Sequence, residues 1–334
     1  MTFDIERHAG TRMKEQTPAP GKPGSAPRWT TGAKTAVGTA VSQQSRIWFT
    51  IAHGIVNEIY FPTIDQANLR AARFLVADGR RFFSDEECDA EHSVEPLHRD
   101  VPAFRIHTRC KRGAYRIEKE IVADPFRDTL LMRIAFQPQA GRQDLRLYLI
   151  TDPHIGDCGA HNDGWVGAYK GIPMLFARRG PTALAIASSA GFEEMSCGYV
   201  GESDGFTDLR QHGNLSWRYT EAGDGNVALT GGLGAAPDPF VLAFGFGTHA
   251  AEAAQQARSG LLQNFEAIRK EYIEAWRRTQ RNYTYMSGPK RNGLDLYRVS
   301  TAVLQIHESK RFPGATVAGL SIPWGFDRGD QDIG

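Results

Sequence analysis

Residues 31–79 read TGAKTAVGTAVSQQSRIWFTIAHGIVNEIYFPTIDQANLRAARFLVADG, and the fold is decided there. Three runs rich in β-branched and aromatic residues, 46–51, 55–61 and 74–76, are closed in turn by His53-Gly54, by Pro62 and by Asp78-Gly79. Short runs of this composition, punctuated by glycine, proline and Asp-Gly, are strands joined by tight turns. Asn57 and Glu58 are polar residues set between apolar neighbours. Two readings follow for them: they face a ligand, or they are satisfied by hydrogen bonds inside the sheet.

Downstream the pattern stays β. Tyr115, Ile117 and Ile121 alternate with Arg116, Glu118 and Glu120, a period of two with one wet face. Asp124-Pro125-Phe126-Arg127-Asp128 is a turn. Further strands are expected at 129–136, 145–150, 183–188, 217–219, 227–230 and 240–246, each bounded by Gly, Asp, Pro or Asn. Many short strands without intervening helices mean a mainly β protein with two antiparallel layers.

Beyond Gly247 the period changes to that of a helix. Helices are expected at 251–259 and 261–278, the second with Leu261, Phe265, Ile268, Tyr272 and Trp276 on one face. A third is expected over about 294–309, with Leu296, Val299, Val303 and Ile306 on one face, Lys310 and Arg311 at its positive-welcoming end, and Pro313-Gly314 stopping it. After it comes FPGATVAGLSIPWG, residues 312–325. Small residues let backbone approach a partner closely, and Trp324 offers a flat apolar face with one N–H donor, suited to the C–H face of a sugar ring. The plain alternative is a helix followed by a buried turn with a core tryptophan.

Two segments carry a family resemblance: the helix followed by FPGATVAGLSIPWG, and residues 31–79 with Gly-Thr-Ala, Ser-x-x-Ser-x-Ile-Trp-Phe-Thr, Gly-x-x-Asn-Glu-Ile-Tyr-Phe-Pro and Phe-Leu-Val-x-Asp-Gly. They resemble the bacterial glucoamylases and glucodextranases of glycoside hydrolase family 15, from about Gly32 to Gly325. The resemblance implies a large antiparallel two-sheet β-supersandwich, then linker helices and the first helix of an (α/α)6 barrel. The implied domains are a flexible leader at 1–28, the β-sandwich at 29–248, a helical linker at 249–290 and the start of the barrel at 291–334. The implied function is exo-hydrolysis of α-glucosidic bonds with inversion, in the manner of a glucan 1,4-alpha-glucosidase. An inverting enzyme needs one protonated carboxyl and one carboxylate about 6.5–9.5 Å apart. In the family both are glutamates that match positions beyond Gly334, so no catalytic residue is expected in this chain, which is expected to be inactive alone. Trp324 is the one residue placed at the sugar site. Asp327, Arg328, Asp330 and Asp332 receive no role. The expected partner is an α-glucan or oligosaccharide, with no cofactor and no metal. The alternatives are a non-catalytic carbohydrate-binding β module, or a glucodextranase- or trehalase-type member of the same family.

Composition narrows the field. In 334 residues, 39 basic and 38 acidic side chains give a net charge of +1, so there is no basic field for nucleic acid. No window approaches the length of a membrane-spanning helix, and residues 1–24 lack an export h-region, so a cytoplasmic protein is expected. Cys88, Cys110, Cys158 and Cys197 are widely spaced and expected as free thiols. The leader ends in a proline- and glycine-rich run expected to be mobile until it docks near Trp29. Residues 152–163 gather two His, three Asp and one Cys, metal-ligand chemistry in principle, but His154 and His161 are seven apart and fit no zinc signature. They are expected to form a loop; a metal-binding module built on them is the competing reading. The acidic run Asp85-Glu86-Glu87-Cys88-Asp89 is expected as a solvated loop, and Gly232-Leu233-Gly234 lacks the third glycine of a nucleotide-binding turn.

Overall fold

The structure is a computed structural model that describes residues 11–13, 15–235, 239–284, 286, 288–291 and 293–321. In chain order the strands are β1 Ala36–Thr39, β2 Trp48–Ala52, β3 Ile55–Tyr60, β4 Leu69–Ala77, β5 Phe83–Asp85, β6 Ala90–Pro96, β7 Phe104–Cys110, β8 Tyr115–Ala123 and β9 Thr129–Pro138. They continue as β10 Arg146–Pro153, β11 Asn162–Tyr169, β12 Ile172–Arg179, β13 Thr182–Ser188, β14 Glu194–Tyr199, β15 Glu221–Gly225, β16 Val227–Gly232 and β17 Phe240–Gly247. The helices are α1 Glu86–Asp89, α2 Gly205–His212, α3 Ala250–Leu261, α4 Phe265–Arg281 and α5 Leu296–Ile306.

Seventeen of the described strands form two large antiparallel sheets, while the short strands Lys290–Arg291 and Leu294–Asp295 pair only with each other ahead of α5. One large sheet runs β1-β2-β3-β4-β10-β16-β14 with β5 also on β4; the other runs β15-β11-β12-β13-β17-β9-β8-β7-β6. The strand period of two sorts side chains between faces. Phe74, Val76, Leu147 and Leu149 join the main core between the sheets, whereas Leu75, Ala77, Tyr148 and Ile150 meet Leu209 and Leu215 on the opposite face, beneath α2. The mainly β, two-sheet fold is thus as the sequence implied.

Two successive helices pack on the second sheet. α3 has a face of Ala250, Ala253, Ala254 and Ala257, all fully buried. It lies so close to β17 that a Cβ on Gly245 would stand 2.4 Å from both the Ala253 carbonyl oxygen and the Ala257 nitrogen. Small residues on both partners are the condition for that approach. α4 starts where Asn264 accepts a hydrogen bond from the Ala267 N–H. It is anchored by two buried aromatics: Tyr272 donates to the carbonyls of Thr39 and Pro102, at 2.7 and 2.8 Å, and Trp276 Nε1 donates to Thr39 at 2.9 Å.

Several local expectations change. The expected strand at 217–219 makes no ladder, because side chains capture its donors: the Trp217 N–H goes to Asp208 Oδ2 at 2.7 Å and the Tyr219 N–H to Ser196 Oγ at 3.2 Å. β11 and β12 were not anticipated, since Gly164 and Gly167 weaken the strand pattern of β11. A Cβ on Gly167 would lie 1.8 Å from the Thr11 carbonyl oxygen, so the glycine makes room for the chain's own N-terminal segment. That segment, expected to be mobile, is tied down over much of its described length. Thr17 and Ala19 exchange backbone hydrogen bonds with Thr220 and Glu221, Pro23 accepts from the Asn226 N–H, and Trp29 is fully buried against His154. The proline-rich run buries little apolar surface but borrows a sheet edge for its polar backbone.

Candidate functional site

The expected sugar-facing segment begins at the end of α5. Asp295 caps this helix by accepting from the N–H groups of Tyr297 and Arg298. The helix is shorter than expected and ends at Ile306, whose carbonyl accepts from Trp48 Nε1 at 3.0 Å. The chain then folds back on itself. Ser309 N–H donates to Ala315, Val317 N–H to His307, and Gly314 takes a left-handed φ of 83° at the turn. Lys310 was expected to sit at the helix terminus. Instead its ammonium turns inward, donates to the Ser45 carbonyl and stands 4.7 Å over the Trp48 ring. Burial pulls its pKa down to about 7, with Asp128 opposing. The small-residue run is pinned where Leu320 enters the core at 3% exposure. Trp324, and with it Asp327, Arg328, Asp330 and Asp332, lies outside the described residues.

α5 is only half seated. Ala302 and Ile306 are buried, but Val303 and Leu304 are 39% and 70% exposed, as is Phe312 after it. A groove of about 420 Å³ runs between this helix and the edge formed by β1 and β6, lined by Val37, Val94, Pro102, Phe104, Val299 and Val303.

Asn57 and Glu58 sit at a β-bulge on the strand beside Trp48. The β2–β3 register passes from Phe49↔Ile59 to Ile51↔Val56, so both residues stand opposite Thr50. Glu58 is fully buried, and both its oxygens are engaged. Oε1 accepts from Lys34 Nζ at 2.7 Å and from Thr30 Oγ1, and Oε2 accepts from Thr50 Oγ1. Burial pushes its pKa up while Lys34 pulls the other way. A carboxyl engaged at both oxygens and fully buried holds the bulge together and lies out of a substrate's reach. Asn57 is different: it is fully buried, and among the described residues neither end of its amide has a hydrogen-bond partner.

Residues 152–163 close on themselves as a strand end and loop. Asp157 accepts from the Ala67 N–H at 2.7 Å. Asn162 Oδ1 accepts from the Ile155 N–H while Nδ2 reaches the carbonyls of Cys158 and Gly159. His161 turns away to Asp224 at 2.6 Å, and His154 stacks edge-on to Trp29 with centroids 4.6 Å apart. The two histidines diverge, and among the described residues no group of three His, Cys, Asp or Glu side chains is arranged to hold a metal ion. Asp157 is held in the left-handed region at φ 60°, and burial pushes its carboxyl up to about 6.

The acidic run is not the solvated loop expected of it. Asp85 caps α1 by accepting from the Glu87 N–H, and Glu86 is fully buried. Glu86 Oε1 accepts from Lys119 Nζ and from Thr108 Oγ1, and Oε2 from the Phe74 N–H. Lys119 also donates to the Gly54 carbonyl at 2.6 Å. The run therefore clamps the two sheets together. The signal available in the sequence was Lys119, a lysine at an inward position of β8's alternation. Among the described residues, no helix is long and apolar enough to cross a membrane.

Comparison with known proteins agrees with this architecture. A glucoamylase from Clostridium sp. (strain G0005) is 34% identical over 314 residues, covering 93% of this chain and 44% of that protein. A solved bacterial glucoamylase complexed with acarbose superposes with a TM-score of 0.88 at 32% identity, covering 94% of this chain and 46% of the other. The chain thus spans less than half the length of each relative. The sequence profile of the family described as Glucodextranase, domain N matches residues 19–281, which take in both sheets and the helices α1 to α4, and the chain belongs to that family.

Proposed function

We propose that this chain is the β-sandwich portion of a glucan 1,4-alpha-glucosidase-type exo-hydrolase that releases glucose from α-glucans or oligosaccharides with inversion. The observation that carries this reading is the TM-score of 0.88 over 94% of the chain with a bacterial glucoamylase solved with acarbose. The relatives are about twice as long, so the reading assigns the general acid and base to the part of such proteins that this chain does not match. Its own contribution is to seat α5, fix the Lys310–Trp48 contact, and deliver the small-residue run towards Trp324, the residue assigned to the sugar. By the same reading the chain alone hydrolyses nothing. A glucodextranase-type specificity is the second reading, favoured by the name of the matching family.

The test is a chimera in which this chain replaces the matching part of the Clostridium glucoamylase. Glucose release is then assayed from maltooligosaccharides and from dextran, beside the isolated chain. The expected result is an active chimera, weakened by Trp324→Ala, and an inert isolated chain. A chimera that folds but releases no glucose from either substrate, or glucose released by the isolated chain, contradicts the proposal. Preference for dextran selects the second reading.

A further inference from the structure

On the outer face of the first sheet, away from α5, lies a cavity of about 260 Å³ whose floor is Ile150 and whose rim carries Arg28, Arg70, Arg73, Asp152 and Phe206. The strand period builds it. Arg73 and Leu75 on β4, with Ile150 and Asp152 on β10, share the face turned away from the main core, and Ile150 pairs directly with Arg73. α2 supplies Phe206, over whose ring the Arg73 guanidinium stands at 5.8 Å. The ordered N-terminal segment closes the far side through Ser25, Ala26 and Arg28.

Two of these polar groups are held rigidly and yet incompletely used. Asp152 is only 6% exposed, and its Oδ2 accepts from Arg70 Nη1 at 3.1 Å and from Arg73 Nη1 at 3.3 Å, while Oδ1 takes no hydrogen bond from a described residue. Arg70 is fixed a second time through Nε on the Arg28 carbonyl, at 2.6 Å, and its Nη2 makes no hydrogen bond to a described residue. The Arg28 guanidinium has no hydrogen bond or ion pair with a described residue. A nearly buried carboxylate oxygen and fixed guanidinium donors thus stand side by side above an apolar floor.

We propose that this cavity is a non-catalytic subsite for one hexosyl unit of a neutral oligosaccharide. Adjacent ring hydroxyls present a donor and an acceptor together, matching Asp152 Oδ1 and Arg70 Nη2, and the C–H face of the ring lies on Ile150 and Phe206. An anionic ligand would be set against Asp152 and Asp204, both nearly buried carboxylates on the same cavity. A cation would meet three guanidinium groups. The volume admits a single ring. The inference rests on the proposed carbohydrate function only for the class of ligand.

The test is calorimetric titration of the full 334-residue chain with maltotriose, with glucuronate and inorganic phosphate as anionic probes. Maltotriose binds at millimolar concentration, and Arg70→Gln weakens it about tenfold, the effect of losing one hydrogen bond to a charged group. Ala26→Trp, a change on the exposed rim that leaves the Arg70–Asp152 pair intact, blocks the cavity and abolishes binding, and so keeps the test sound should Arg70→Gln unfold the protein. No maltotriose binding, binding unaffected by Ala26→Trp, or binding of the anions in its place overturns the proposal. Loss of glucose release by the chimera with maltotriose binding intact would sink the proposed function and leave the subsite standing. An active chimera whose parent chain binds no maltotriose would do the reverse.

Discussion

Replacing Lys119 by methionine tests the idea that the acidic run is a clamp between the sheets. Lys119 and Glu86 are 1% and 0% exposed in their side chains, and the pair joins β8 of one sheet to the segment after β5 in the other. Burial of the lysine lowers its pKa, and the attraction of Glu86 opposes that shift. Removing the lysine leaves the Glu86 carboxylate buried with only two neutral donors, the Phe74 N–H and the Thr108 hydroxyl. The Gly54 carbonyl also loses its donor. Breaking a buried pair from one side costs about 3–5 kcal/mol, whereas replacing both members by neutral groups of similar volume costs far less. Lys119→Met is therefore expected to lower the urea midpoint by the equivalent of about 3–5 kcal/mol at constant m-value, read by tryptophan fluorescence. The double variant Lys119→Met/Glu86→Gln should recover at least half of that loss. A single variant within about 1 kcal/mol of the parent, with no recovery in the double, would refute the clamp, because a screened surface pair behaves that way.

Two further outcomes follow from the same geometry. Val303→Ser with Leu304→Ser, both on the open side of α5, should reduce self-association in sedimentation velocity while leaving the melting temperature nearly unchanged, since exposed positions contribute little to stability; a large drop in melting temperature would mean that this face is covered. The raised carboxyl of Asp157, at about 6, means that the folded state holds its proton more tightly than the unfolded chain does. Its contribution is complete below pH 4 and is lost as the pH rises through about 6, so Asp157→Asn, which also tolerates the left-handed φ, should flatten the stability–pH curve in that window. An unchanged slope would remove Asp157 from the account.

The residue pattern by itself determined the class of fold, because period-two alternation and turn residues are local properties. The runs at 46–51, 55–61 and 129–136 became β2, β3 and β9 with boundaries shifted by two residues or fewer. The helices after Gly247 were legible for the same reason, through the single apolar face of Phe265, Ile268, Tyr272 and Trp276. What the tertiary structure decided was where polar residues end up. Glu86 and Glu58 are buried because Lys119 and Lys34, 33 and 24 residues away in sequence, arrive beside them, and no local window contains both partners. Lys310 sits over Trp48 and not at a helix end because Trp48 lies on a strand far upstream that α5 happens to cross. Likewise the Arg70–Asp152 cavity joins residues 82 apart under a helix and an N-terminal segment from elsewhere in the chain. Desolvation is set by everything that packs around a charge, and only the assembled chain determines it.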